Sequence, residues 1–429
     1  MMPASTADLT GSGAALAALV VFVIAYALVI AEEFIQLRKS KPVVVAAGLI
    51  WMLVALAARG RGGIDIAAAL ERNLGEYAEL LLFLLAAMTY VNVLDERNVF
   101  AWLRSRMVAA GYSLRAVFWL TGLLAFCLSP VLDNLTTALV LGAVVLAVGS
   151  GAPRFLVPAC INLVVAANAG GTFSPFGDIT TLMVWQEGVV KFQQFFALFL
   201  PALVNWLLPA LCLQFAVPKA QPQPERERTH VKQGGGVIIA LFALTIGGTV
   251  VLHQGLHLPT FLGMMSGLGL LMLYAYLIRR SEQPFDLFAH MRRVEWDTLL
   301  FFYGVMLCLG GLAALGYLTL LSQHSYAAFG PSATNIGVGL ASAIIDNIPI
   351  MFAVLTMHPQ MSHGQWLLVT LTAGVGGSLL SVGSAAGVAL MGQARGVYTF
   401  MAHLKWAWAV ALGYAASIWL HLLVNAALF

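Results

Sequence analysis

Two acidic dipeptides stand in apolar surroundings, where a charge is costly. Asp133-Asn134 lies in SPVLDNLTT (129–137) and Asp346-Asn347 in SAIIDNIPI (342–350). About one helix-length after each comes a polar, glycine-rich interruption of another apolar stretch: NAGGTFSPFGDITT (168–181) and GVGGSLLSVGSAAG (374–387). Three carboxylates are expected at mid-membrane depth: Asp133 and Asp346 at the tips, and Asp178 at the end of the first interruption. Each costs about 2.5–3.5 kcal/mol at a bilayer centre, so the three cost roughly 8–10 kcal/mol if charged and unpartnered. No Lys or Arg is expected at that depth, so either protons or a bound cation must neutralise them. A site that alternates between those two states is a proton/cation exchanger.

The residues around the acids suit a hard, partly dehydrated cation such as Na⁺, with Asp133 and Asp346 as its carboxylate ligands. Further oxygens come from the amides of Asn134, Asn168 and Asn347 and the hydroxyls of Thr136, Thr137, Thr172, Ser174, Ser378, Ser381 and Ser384. Gly170, Gly171, Gly177, Gly376, Gly377 and Gly383 allow the helices to unwind and expose backbone carbonyls. No Cys or His cluster is present, which argues against a soft transition metal. The four cysteines (Cys127, Cys160, Cys212, Cys308) occur singly in apolar runs and read as core thiols. Against the functional reading, lone Asn, Ser and Thr in membrane helices commonly serve packing or bond their own backbone. Intramembrane acids are functional by default. The nine histidines map to loops and helix ends.

These residues need a membrane scaffold to position them, and the composition supplies one. The chain has 429 residues, 60% hydrophobic and 10% charged, with a mean hydropathy of +0.88. A soluble globular surface needs far more charge, so the fold class is an all-α polytopic membrane protein. A net charge of +3 gives no reason to expect nucleic acid as a partner. Candidate spans fall at 13–31, 42–58, 77–94, 193–217, 235–252, 257–278, 296–320 and 400–428, the lengths a bilayer core requires. Pro130 and Pro349 sit at the Asp-Asn pairs, where a helix is expected to break. The flanks there, in 114–150 and 332–360, are too short to cross alone, so each segment is expected to be a re-entrant hairpin. The glycine interruptions fall within two broken helices that still cross, 154–191 and 364–394.

Each half then has five crossings, ten in all, and an odd number inverts the second half relative to the first. The first repeat occupies 1–217, a polar Pro- and Gly-rich cytoplasmic linker 218–236, and the second repeat 237–429. The Asp-Asn motifs match at an offset of 213 and the glycine breaks at 206. Loop charge gives an independent orientation. With both termini outside, 18 of the 22 basic residues are cytoplasmic, and only Arg59, Arg61, Arg72 and Lys191 face the other side. The stretch 96–109, with Phe100, Trp102 and Leu103 among arginines, suits a helix lying in the cytoplasmic interface.

At SPVLDNLTTAL (129–139), NAGGTFSPFGDITTLMVWQ (168–186), DNIP (346–349) and GVGGSLLSVGSA (374–385) the chain resembles the NhaD-type sodium/proton antiporters of the ion transporter superfamily. The resemblance implies a multi-pass inner-membrane homodimer, with Na⁺ or Li⁺ and H⁺ as transported ions, no cofactor and an elevator-like step. It also implies that Asp133, Asn134, Thr136, Asp178, Asp346 and Asn347 are substrate-linked. The second half departs from symmetry: Pro349 stands where Thr136 would be, and Ser384 where Asp178 would be. Related carriers of dicarboxylates have Ser-Asn-Thr tips, and acidic tips would repel such anions. Three alternatives remain: a sodium-coupled anion symporter, a metalloid exporter for arsenite or silicic acid, and an intramembrane aspartyl protease. The last would need two adjacent catalytic carboxylates and no inverted repeat.

Overall fold

A computed structural model describes residues 9–35, 37–59, 65–149, 152–220, 229–279, 286–394 and 396–429. Much of the expected linker (221–228) and Arg61, Arg226, Arg228, Arg280 and Arg395 of the charge count lie outside the described residues. The described residues form helices and turns, with no strand among them. Among the described residues, ten helices are long and apolar enough to cross a membrane. Eight of them overlap the expected spans: Gly13–Ile30, Ser40–Ala58, Ile66–Glu96, Phe192–Leu213, Gly235–Leu256, Thr260–Ile278, Trp296–Ala314 and Ala407–Val424. The other two are Pro153–Gly171, from the first broken helix, and Leu114–Leu132, the first arm of the first hairpin.

The Leu114–Leu132 arm corrects the expectation of a short flank. Pro130 lies two residues before the last residue of this 19-residue helix, so the helix runs through it and stops at Asp133 instead. A proline there removes the amide that would bond the carbonyl four residues back, and the helix has almost ended by that point. The second broken helix is split more severely, into His363–Gly376 and Ala385–Gln393, and neither piece is long enough to span alone. Two expected spans are also cut. Gly316, with φ 98°, takes the left-handed position that ends a helix and separates Trp296–Ala314 from Tyr317–Ser322. The expected 400–428 span is a short helix, Phe400–Leu404, followed by Ala407–Val424.

The chain divides into two compact units, and each takes residues from both sides of the linker. One comprises Met1–Leu82, Glu295–Thr334 and Ile348–Gln360. Its core is Ile50, Trp51 and Val54 packed with Leu307, Cys308 and Leu312. Trp51 Nε1 donates to the Leu307 carbonyl at 2.9 Å, which satisfies the one polar atom of a buried indole. Gly304 leaves no room for a Cβ against Val43, the close helix approach that membrane interfaces favour. Ser40 Oγ donates to Asp297 at 2.5 Å, and that acid stands in the first turn of Trp296–Ala314, where the helix dipole favours a negative charge.

The other unit comprises Phe83–Val294, Asn335–Asn347 and Met361–Phe429, and it contains Asp133, Asp178 and Asp346. The stretch 96–109 folds largely as a separate helix, Val99–Ala109. Its surroundings hold both described ends of the linker: Leu114 N–H donates to the Ala220 carbonyl (2.9 Å), Thr229 N–H to Ser105 Oγ (3.1 Å) and Lys232 N–H to the Arg97 carbonyl (2.9 Å).

Candidate functional site

The two hairpin-and-break modules share one set of backbone contacts. Ser129 Oγ donates to the Ala167 carbonyl at 2.6 Å, and Ser342 Oγ to the Ala373 carbonyl at 2.8 Å. Gly170 packs so closely on the Phe126 carbonyl that a Cβ has no place there, and Gly376 does the same on Gly339. Gly171 meets Gly177 as Gly377 meets Gly383. Each second contact is the first one displaced by the offsets of 213 and 206 read from the sequence. Pro130 explains the first glycine contact, because it cannot donate to Phe126 and so leaves that carbonyl for another segment to approach.

The first hairpin turns at a single residue. Asp133 has φ 65° and ψ 160°, a backbone conformation that costs a non-glycine residue on the order of 1–3 kcal/mol. Its carboxylate offsets part of that cost by capping the next helix, Asn134–Val148. It accepts from Thr136 N–H at 2.7 Å and from Thr136 Oγ1 at 2.9 Å. Thr136 is thus committed to Asp133. Thr137, on the next position, is buried, and its Oγ1 has no hydrogen-bond partner among the described residues.

The hydrogen bonds of the site converge on Asp178, which is 3% exposed. Its Oδ2 accepts from Asn134 Nδ2 at 2.9 Å and from Asn347 Nδ2 at 3.0 Å, so the amides of both hairpin tips meet on one oxygen. Its Oδ1 accepts from Thr180 N–H at 3.0 Å, which caps the helix Ile179–Gln186. Asn134, Asn347 and Asp178 all stand at the starts of helices, whose positive dipole ends favour a negative charge. Asp346 lies close enough for its charge to act on Asp178. The carboxylate of Asp178 is therefore not bare, as the sequence alone suggested. Three neutral donors hold it, each hydrogen bond to a charged group contributing about 1.5–3 kcal/mol.

Further hydrogen bonds extend this cluster to the other broken helix. Asn134 Nδ2 also donates to Asn168 Oδ1 at 3.0 Å, and Asn168 Nδ2 donates to Ser378 Oγ and Ser384 Oγ at 2.8 Å each. The structure thus joins Asp178, Asn134, Asn347, Asn168, Ser378 and Ser384 in one buried network. Other predicted ligands spend their hydroxyls elsewhere. Thr172 Oγ1 donates to the Ala169 carbonyl (2.7 Å), Ser174 Oγ to the Pro130 carbonyl (2.8 Å), and Ser381 Oγ lies 2.8 Å from Tyr398 Oη. Asp133 and Asp178 both line a narrow cavity of about 30 Å³, whose other walls include Phe83, Phe176, Leu182 and Met264. That volume holds one water-sized occupant.

Two features escape a reading by motif. Thr181 Oγ1 donates to the carbonyls of Ser174 and Asp178 at 2.8 and 2.6 Å and so closes the first break. An Asp followed by hydroxyl residues at the start of an apolar run is a helix-start signal that could have found it. The histidines were expected in loops and at ends, yet His403 is fully buried and bonded to the second break. The mostly apolar sequence around it, with Thr399 and Lys405 as its near polar neighbours, gives no sign of that burial.

Residues 10–374 match the protein-family model described as citrate transporter. The Na(+)/H(+) antiporter NhaD of Alkalimonas amylolytica is 53% identical over 99% of this chain and 94% of its own length. The NhaD of Vibrio cholerae is 52% identical over 97% of this chain and 93% of its own. The chain belongs to the citrate transporter family and to its NhaD-type members. Sodium/proton antiporter 1 of Arabidopsis thaliana is more distant, at 31% identity over 94% of this chain and 71% of its own. These relatives are named as antiporters, which are carriers and not enzymes.

Proposed function

We propose that the protein exchanges Na⁺, with Li⁺ as a surrogate, for H⁺ across the membrane. The observation that carries this reading is the Asp178 carboxylate, buried and held by an amide from each hairpin tip and by the Thr180 N–H, all neutral donors among the described residues. Such a group is stable either protonated or beside a cation. In this reading Na⁺ enters a cluster of Asp133, Asp178 and Asp346 and displaces the proton. The carbonyl oxygens of Asn134, Asn168 and Asn347 and the hydroxyls of Thr137, Ser378 and Ser381 complete its shell. Thr136, Thr172 and Ser174 act by holding the tip and the break in shape. The names of the relatives support the same exchange.

The finer mechanism proposed is elevator-type alternating access in a homodimer of the inner membrane, with both termini outside and the two repeats inverted. The membership of all three acids in one compact unit supports a carrier that moves as a body. The asymmetry of basic residues supports the orientation.

The family model's description favours a second reading, an anion carrier. Asp133 and Asp178 on one cavity argue against it, since a citrate-like anion needs basic partners and none lines that cavity among the described residues. Everted vesicles that carry the protein and an internal pH dye decide between the two. Addition of NaCl or LiCl should release protons, and KCl or citrate should not. Proton movement driven by an anion alone would reject the exchange reading.

A further inference from the structure

Ser381 stands in the second break with φ 66°, left-handed backbone that a residue with a Cβ rarely adopts. Its counterpart at the 206 offset is Pro175, which has no hydroxyl, so the first module offers no precedent for how Ser381 is held. The support comes from residues just beyond the second broken helix. Tyr398, 1% exposed, and His403, 0% exposed, form a chain with the break. Ser381 Oγ is 2.8 Å from Tyr398 Oη, which is 2.8 Å from His403 Nδ1, and His403 Nε2 is 2.8 Å from the Ser378 carbonyl.

The hydrogens in this chain have one consistent order. A backbone carbonyl only accepts, so His403 Nε2 carries the hydrogen and donates to Ser378. In the neutral ring Nδ1 then accepts, and Tyr398 donates its single hydrogen to it. Tyr398 Oη has none left for Ser381, so the Ser381 hydroxyl donates to Tyr398. The Ser381 oxygen is thereby left with lone pairs only, the form in which a hydroxyl ligates a cation. The other end of the chain holds the carbonyl of Ser378, whose hydroxyl accepts from Asn168, and Asn168 bonds Asn134 beside Asp178.

We infer that Tyr398 and His403 are positioning residues for the cation site: they fix the shape of the second break and the direction of the Ser381 hydroxyl. This inference rests on the exchange reading above. Neither residue touches the ion, and each acts through Ser381 or Ser378. Loss of a positioning group should weaken cation binding while leaving the turnover of the loaded carrier nearly intact.

The test is Na⁺-driven proton release in everted vesicles, at one pH, over a range of NaCl. Tyr398→Phe keeps the ring and removes the hydroxyl. It should raise the half-saturating Na⁺ concentration roughly fivefold to tenfold, the effect of one ordinary hydrogen bond, with the maximal rate within about twofold of the parent. His403→Leu should do the same, and His403→Gln, which keeps an N–H for the Ser378 carbonyl, should shift it less. In a cycle with Ser381→Ala, Tyr398→Phe should add little to the shift that Ser381→Ala produces alone. Normal half-saturation in Tyr398→Phe, or two shifts that multiply in the double variant, would overturn the inference while leaving the exchange reading intact. The cycle decides the matter even if the histidine variants fail to accumulate. A parent protein that releases no protons with Na⁺ would instead remove the exchange reading, and this inference with it.

Discussion

The first and second hairpin-and-break modules have the same scaffold and different chemistry. Ser129 and Ser342 bond equivalent carbonyls, and Gly170 and Gly376 make equivalent close approaches. At the end of the break, however, the first module has Asp178 and the second has Ser384. The first break is closed from within, by Ser174 on Pro130 and Thr181 on Ser174. The second is braced by Tyr398 and His403, from a segment that follows it. The two modules thus share a frame, and two of the three acids, Asp133 and Asp178, belong to the first. The hydroxyl side serves to orient Asn168.

This contrast predicts unequal effects of substitutions at matched positions. Asp178→Asn removes the charge on which both tips converge, and Na⁺-driven proton release should fall by about 100-fold or more, two tenfold steps of 1.4 kcal/mol each. Its counterpart Ser384→Ala leaves Asn168 bonded to Ser378, so the same assay should retain most of the activity, within about fivefold of the parent. Equal losses in the two variants would break the proposed asymmetry.

Asn134→Ala and Asn347→Ala each remove one donor to Asp178 Oδ2 and should each weaken exchange by about tenfold. A much larger loss in Asn134→Ala would sharpen the picture, since that amide also holds Asn168. The scaffold glycines should behave alike. Gly170→Ala and Gly376→Ala have no room for a methyl against a backbone carbonyl, and each should lower thermal stability in detergent by about 1–3 kcal/mol. The smallest effect is expected at Thr172→Val, whose hydroxyl bonds only its own helix; exchange within about twofold of the parent is predicted, as for a local backbone bond.

The sequence made the Asp-Asn tips and the glycine breaks legible as interruptions, because Pro, Gly and acids are rare enough in apolar helices to stand out. It placed Asn134, Asn347 and Asp178 among the site residues but not their shared oxygen, since three distant segments must fold before that geometry exists. It treated Asp178 as one acid of three, whereas the hydrogen bonds make it the hub. The tip at the Asp-Asn pair is legible and the helix does stop at Asp133, but the length of Leu114–Leu132 is not, because Pro130 falls in the last turn, where it costs the helix little. The place of His403 is not legible either. Its partners, Ser378 and Tyr398, lie 25 and five residues earlier in the chain, and burial of a histidine leaves no periodic trace.

Competition between ions gives a pH dependence with a defined sign. Protons and Na⁺ share the carboxylates, so the half-saturating Na⁺ concentration should rise by about tenfold per unit fall in pH wherever one proton competes. The most direct measurement is proton release from the purified protein in weakly buffered detergent when NaCl is added. Asp178 at the centre of a shared site predicts stoichiometric release that is lost in Asp178→Asn. Sodium binding without release, or unchanged release in Asp178→Asn, would contradict it.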